Sequence, residues 1–403
     1  MALMPVADAL AAVLAGAEPL PEEMVALEAA YHRVLARDIA ALRTQPPQAM
    51  SAMDGYAVRA ADASRAGAQL KVTGEIAAGR PFDKAVHPGE AVRIFTGGVM
   101  PEGADAVVIQ EDTISEGGVV TVTEAAIPGR HIRPAGIDFR NGDVLLSGGS
   151  RLTDRDLSLA AGMNYPELPV RRRPRVALLA TGDELVMPGS IPGPGQIVYS
   201  NGYALRALAR QEGADTIDLG IAGDTLEATT EGIRRASDSG AHILITTGGA
   251  SVGEHDLVKQ ALDAEGVKMA FWKIAMRPGK PMMHGRLGAV RVIGLPGNPV
   301  SSYVCGFLFL VPLIRALLGQ NMVHHARERA VLGRDVGPND LREDYLRARL
   351  ETRSDGQLIA SPVDRQDSSL LGNLAAARAL VIRAPFAPQA PAGSVCEILR
   401  LPA

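Results

Sequence analysis

The chain has 403 residues, is 47% hydrophobic and 21% charged, and carries a formal net charge of −4. That length allows several domains, and the slightly acidic balance excludes a global field for nucleic acid, so any anion site must be built locally. The 43 glycines and 27 prolines are spread over the whole chain, which predicts many tight turns rather than a low-complexity tract.

Residues 1–15 carry no basic side chain and include Asp8, which argues against a secretory signal. Val6, Leu10, Val13 and Leu14 share one helical face and predict a short docked helix. Residues 20–42 read as a longer helix, begun by the favourable first turn Pro21-Glu22-Glu23 and broken at Thr44-Gln45-Pro46-Pro47. Short strands between glycine turns follow at 70–74, 91–95, 106–109 and 119–123, a β-rich unit of its own. Helical signal returns at 153–163, with Thr153 or Asp154 as its cap. A helix on either side of a β unit suggests that the unit is inserted into a first domain.

Arg171-Arg172-Arg173-Pro174-Arg175 reads as a hinge and solvated strand entry. From there apolar runs at 176–180, 216–222, 242–245 and 290–294 alternate with helical patterns, the signature of a doubly wound parallel sheet. Ser200 or Asn201 caps one helix, closed by Gly213; another runs from 300 towards 318 with a kink expected at Pro312. The most apolar run, 304–314, is too short to span a bilayer and reads as a core helix. Strand signals at 329–332, 345–350, 358–360, 380–383 and 395–401 make a small C-terminal β domain. The only cysteines, Cys305 and Cys396, read as free thiols in a reducing compartment, and no Cys/His cluster has zinc spacing. The expectation is a cytoplasmic protein with neither membrane nor nucleic-acid partners.

In open α/β sheets ligands bind beyond the carboxyl ends of the strands. Those ends carry Thr181-Gly182-Asp183-Glu184, Gly223-Asp224, the stretch from Thr246 through Gly248, Gly249 and Ser251 to Asp256, and Leu295-Pro296-Gly297-Asn298-Pro299. Glycine turns and helix N-termini receive phosphates, while carboxylates hold a hard cation such as Mg2+. Asp256 reads equally as an ordinary helix cap. Lys273, Arg277 and Lys280 supply cations on a loop stiffened by Pro278 and Pro281. Trp272, the only tryptophan, reads as a core anchor. By spacing alone, Asp54 in Met53-Asp54-Gly55 is a turn residue.

Taken together and in order, Ser51 to Val58, Thr96-Gly97-Gly98 with Pro101 to Val108, Thr181 to Leu185, Gly248 to Asp256, Arg277 to Pro281 and Leu295 to Ser301 resemble the signatures of the molybdopterin molybdenumtransferase family, the MoeA and gephyrin E-domain type. The resemblance covers essentially the whole chain. It implies a discontinuous first domain (20–43 and 142–170), an inserted β-rich domain (44–141), a molybdopterin-binding α/β domain (1–19 and 171–324) and a C-terminal β-barrel (325–403). It implies insertion of molybdate into adenylylated molybdopterin with release of AMP and a need for Mg2+. It further implies a homodimer whose site is shared between subunits, with a molybdopterin adenylyltransferase and molybdoenzyme acceptors as partners. By matching motif positions, Asp54, Glu184, Asp224 and Asp256 become catalytic, the last three also as metal ligands. Thr96, Asp138, Thr181, Gly248, Gly249, Ser251, Lys273, Arg277, Lys280, Pro296, Gly297, Asn298, Pro299 and Ser368 become substrate-binding, with Ser369 as an alternative to Ser368. Arg277 stands where some relatives have Lys, and Thr225 where some have a second acid. The competing readings are a molybdopterin adenylyltransferase, which would consume ATP, and a non-enzymatic molybdopterin-binding scaffold.

Overall fold

The computed structural model describes residues 3–80, 82–248 and 257–402. Its centre is a six-stranded sheet in the spatial order Asp215–Ala222, Arg175–Thr181, Ile243–Thr247, Val290–Leu295, Met283–Leu287, Lys268–Phe271. The first four strands are parallel. The last two are antiparallel, so the sheet is mixed at one edge rather than parallel throughout. The strand Arg175–Thr181 shows why these runs are continuously apolar. Val176 and Leu178 enter one core and Ala177 and Leu179 the other, because helices cover both faces. Among the four parallel strands the spatial order is second, first, third, fourth. The chain therefore reverses its winding between Arg175–Thr181 and Ile243–Thr247, the place where such sheets open a crevice.

One helical segment, Pro299–Leu317, is the keel of the larger core. It runs Pro299–Cys305, a π turn Gly306–Leu310, then Val311–Leu317. Pro312 has no N–H to give to Leu308, and the wider π turn just before it takes up the mismatch. At 19 residues and mean hydropathy 1.8 the segment is long and apolar enough to cross a membrane, but 83% of it is buried inside the protein. The N-terminal helix Val6–Leu14 packs Ala9 and Val13 onto the same core, and the buried Arg291 holds its end by donating to the Val13 and Ala15 carbonyls at 2.9 and 3.1 Å. Trp272 is half-buried against the other core.

The helix expected over 20–42 does not form. Glu22–Ala26 is a strand paired antiparallel with Glu167–Arg171, Leu27–Ala29 is one 3₁₀ turn, and Ile39–Ala40 pairs with Val144–Leu146. Local helix propensity is a weak prior, and pairing with a strand some 140 residues away overrides it. The same packing corrects the reading of the arginine run. Arg171 is not a solvated hinge residue: its guanidinium donates to the Leu20 and Ala36 carbonyls, each at 3.1 Å. The helix Asp154–Gly162 forms as expected, with Thr153 and Asp156 closing a reciprocal capping box. A single core of Leu35, Ile39, Phe139, Leu152, Met163 and Leu168 joins the stretches before and after the β-rich unit. That unit is a second six-stranded sheet with apolar side chains on both faces.

In the C-terminal region Glu343–Thr352, Leu358–Pro362, Arg327–Leu332, Val395–Arg400 and Ala379–Arg383 pair in that order, and the last pairs back with the first to close a five-stranded barrel. Leu332, Leu346, Ala348, Ala360 and Val381 fill it. Tyr345, Leu380 and Leu399 join the core under the keel helix instead, which seats the barrel on the α/β unit. Both cysteines are free thiols.

One buried histidine, His284, and one half-buried, His325, set a pH dependence. His284 faces the Val292 carbonyl at 2.9 Å, and His325 stacks on Phe307 and faces its carbonyl at 2.7 Å. Burial lowers each imidazole to about 4. Once unfolded, both bind protons below about pH 6.5, while the folded protein leaves them neutral. Stability should therefore fall as pH drops from 6.5 towards 4. Urea midpoints at pH 7, 5.5 and 4.5 should decline more steeply in the wild type than in His325→Gln, which keeps a hydrogen-bonding group but does not titrate. Equal slopes would remove His325 from this account.

Candidate active site

The crevice predicted by the winding reversal is present as a cavity of about 570 Å³. Its walls bring together Thr181, Glu184, Gly248, Pro296, Gly297, Asn298 and Pro299, seven of the residues singled out in the sequence. The backbone explains the floor. Gly248 sits at φ +93°, where a side chain is strained, and a Cβ there would meet the Thr181 carbonyl at 2.3 Å. Only glycine lets the two strand ends close up. The Thr181 hydroxyl beside it is buried and has no hydrogen-bond partner among the described residues, so the wall offers an unfilled polar group.

The loop Leu295–Pro299 is fixed from two sides. Asn201 Nδ2 donates to the Gly297 carbonyl at 2.7 Å, and Asn298 Nδ2 donates to Ser368 Oγ at 2.9 Å. Ser368 thus braces the loop from the barrel side, while its neighbour Ser369, with Leu371, lines the cavity. Sequence reasoning missed Ile197, Val198, Tyr199, Asn201 and Leu371 as walls. Ile197–Val198 pairs with Leu185–Val186 after a Pro/Gly-rich loop, and that loop was the only available signal.

Glu184 is the described acid that lines the cavity. Asp224 lies beside it on the next strand end, in a reciprocal arrangement with Asp183. Asp183 N–H donates to Asp224 Oδ2 at 3.3 Å, and Asp224 N–H donates to Asp183 Oδ1 at 3.0 Å. This pins both exposed carboxylates at the rim and leaves each a second oxygen. Among the described residues no three His, Cys, Asp or Glu side chains gather as a metal group. Gly249, Ser251 and Asp256 lie outside the described residues.

The three cations differ. Lys280 is exposed, next to the cavity wall Pro281, and Lys273 is half-buried. Arg277 is engaged within the protein: its guanidinium contacts Asp344 at 2.6 and 3.0 Å, Asp340 at 3.3 Å and Asn339 at 3.0 Å. The Asp344 bond, above all, raises its already high pKa. Its charge is balanced by the barrel before any ligand arrives.

Asp54, Thr96 and Asp138 are exposed on the inserted β-rich unit and its base, and none lines the cavity. Antiparallel pairing of Gly55 with Ile94 sets Asp54 beside Thr96, whose N–H and hydroxyl both donate to Asp54 Oδ1 at 2.7 Å. The Thr96 backbone bond, then its hydroxyl, hold the Asp54 carboxyl below the usual range. The turn residue of the sequence reading is thus an ionised group on a fixed platform.

The fold and cavity define a multidomain α/β protein with a ligand-sized crevice at its sheet's winding reversal, an N-terminal β-rich unit and a C-terminal barrel. Family models agree in chain order: the MoeA N-terminal region (domain I and II) over residues 4–163, a probable molybdopterin binding domain over 177–316, and the MoeA C-terminal region (domain IV) over 329–401. A molybdopterin molybdenumtransferase of Haemophilus influenzae is 41% identical over 303 residues, 75% of this chain and 74% of that one. One of Bacillus subtilis is 36% identical over 368 residues, 89% and 85% of the two chains. The crystal structure of a molybdopterin biosynthesis MoeA protein from Pyrococcus horikoshii superimposes with a TM-score of 0.87 at 30% identity over the whole of both chains. The chain belongs to the molybdopterin molybdenumtransferase (MoeA) family, transferases of molybdenum cofactor biosynthesis.

The floor geometry makes a paired prediction. Gly248→Ala should cost about 1–3 kcal/mol of stability, since it adds strain and a backbone clash. A Cβ at Gly297 would meet only the Gly248 Cα, at 3.8 Å, so Gly297→Ala should stay within about 0.5 kcal/mol. Chemical unfolding of both variants checks this; equal costs would contradict the close approach at Gly248.

Proposed function

We propose that this chain catalyses the Mg2+-dependent insertion of molybdate into adenylylated molybdopterin, releasing AMP, in the cytoplasm. The observation that carries the reading is the cavity at the winding reversal, where Thr181, Glu184, Gly248 and the Pro296–Pro299 loop converge. Its volume suits a small-molecule ligand. The domain division drawn from the sequence belongs to the same reading. An adenylyltransferase supplies the substrate, and molybdoenzymes receive the product.

Two anions must meet in this reaction, molybdate and a pyrophosphate-linked pterin. Lys273 and Lys280 neutralise them from the loop beside Pro281, while Arg277 holds that loop against Asp344 on the barrel. The unsatisfied Thr181 hydroxyl and the backbone of the glycine floor donate to substrate oxygens. Mg2+ fits the rim chemically, because Asp183 and Asp224 present hard oxygen donors already fixed by each other's N–H. Asp224 would hold the ion together with Asp256, and Glu184 would join them or orient substrate oxygens through water. Bound there, Mg2+ would offset charge on the pyrophosphate and favour displacement of AMP.

Replacing Asp224 removes negative charge from the path of an anionic substrate. Asp224→Ala should therefore abolish AMP release while binding adenylylated molybdopterin as tightly as the wild type or more so. Bound, uncleaved substrate should accumulate, with melting temperature little changed. Normal turnover per folded molecule would sink the catalytic role.

Asp54 and Thr96 are absent from the cavity of their own chain, which supports a homodimer with a shared site. Asp54→Ala and Asp256→Ala chains, each inactive alone, should then regain part of the activity when mixed and allowed to exchange. A fully active monomer in sedimentation and turnover assays would end this part of the reading.

A further inference from the structure

The C-terminal barrel bears a second cavity, of about 680 Å³, sharing no wall residue with the first. Three guanidiniums face it, from Arg334, Arg349 and Arg365, together with Ser361 and Asn373. Asp364 is the single acid on these walls, and it pairs with Arg334. The side chains of Arg349 and Arg365 have no hydrogen-bond or ion-pair partner among the described residues. In a chain of net charge −4, one concave surface thus gathers three arginines against one carboxylate.

Arginines that face a common space repel one another unless an anion lies between them. Several arginines of this barrel are matched by acids, Arg400 with Glu328, Arg327 with Glu397 and Arg277 with Asp344, while others such as Arg353 and Arg383 bond only neutral oxygens. On the walls of this cavity Asp364, bonded to Arg334, is the single acid that also feels the charge of Arg349, and Arg365 pairs with no acid among the described residues, so positive charge is in excess. The planar fork of a guanidinium fits phosphate oxygens two at a time, and Ser361 adds a hydroxyl donor. Arg349 is held opposite Ser361 by strand pairing, so this part of the wall is set by the barrel itself. Asn373 Nδ2 donates to the Arg365 carbonyl at 2.8 Å, which fixes the backbone from which Arg365 projects.

We propose that this cavity is a separate binding site for a small phosphate-class anion carrying at least two negative charges, of the size of pyrophosphate. The site is independent of the molybdate-insertion reading. The segment that forms it continues into the first cavity, however. Arg365 and Asn373 face the second cavity, and Ser369 and Leu371 between them face the first.

Calorimetric titration of the full chain with inorganic pyrophosphate at low ionic strength tests the proposal. A binding event is expected that Arg349→Ala and Arg365→Ala each weaken by about tenfold or more. Arg349→Lys, which keeps the charge and loses the fork, should fall in between, and Arg329→Ala, at an exposed barrel arginine that lines neither cavity, should leave the event unchanged. Both arginines are exposed, so melting temperatures should match the wild type. Absence of binding, binding insensitive to both arginine variants, or binding weakened as much by Arg329→Ala would each overturn the proposal. Normal turnover in Asp224→Ala, which would sink the catalytic reading, would leave it standing.

Discussion

The structure depends on burying one helix. Pro299–Leu317 is apolar on nearly every side, with Arg315 paired to Glu212 as its one charge, and the parallel sheet, the N-terminal helix and the outer face of the barrel all pack upon it. A helix with no polar face is stable in water only when it is covered on every side. Three parts of the chain are thereby bound to one element, and the site inherits their alignment. The first residue of that helix, Pro299, is a cavity wall, and the loop before it is tied to Asn201 on one side and Ser368 on the other. Disturbing the keel would shift the wall that begins at Pro299.

Charge is distributed in the same economical way across parts of the fold. With a net charge of −4 the protein has no long-range attraction for anions, so an anion site in it would rest on backbone and loops. Fixed amide donors, glycine floors and a few cations can do locally what a basic surface does globally. Arg277 shows the limit of counting charges: it lies in the motif expected to meet substrate, yet Asp344, Asp340 and Asn339 surround its guanidinium. Its role in the structure is to join the loop of Lys280 to the barrel. Arg347 does similar work one step away: wholly buried, it donates to the Asp367 carbonyl at 3.3 Å, close to Ser368 and Ser369. Burial lowers it to about 10.

The acids follow a different logic. Asp183 and Asp224 are held by each other's backbone, and Asp54 by Thr96, so carboxylates on three different strand ends or turns are fixed without buried ion pairs. Each stays exposed, which leaves a second oxygen open to solvent. Fixing a carboxylate by N–H donors costs little desolvation, whereas burying it would neutralise it.

Much of this was legible in the sequence, because it is encoded by period and composition. Continuous apolar runs predicted strands buried on both faces, and the strand ends at Thr181, Gly248 and Pro296–Pro299 do share one cavity. The capping box at Thr153 and the strands of the barrel and inserted unit are likewise local signals. The segment 20–42 was misread because its strand exists only through pairing with Glu167–Arg171, a contact that no local period announces. Ser368, Tyr199 and Asn201 reach the cavity region by packing of the barrel and of a neighbouring loop, and the partner of Arg277 lies 67 residues further along the chain. What the sequence determined by itself is which residues could serve, since hydrogen-bonding capacity, charge and backbone freedom belong to the residue. Which of them meet, and which are already satisfied by the protein, was decided by tertiary structure, because only long-range packing sets the distances over which charges and hydrogen bonds act.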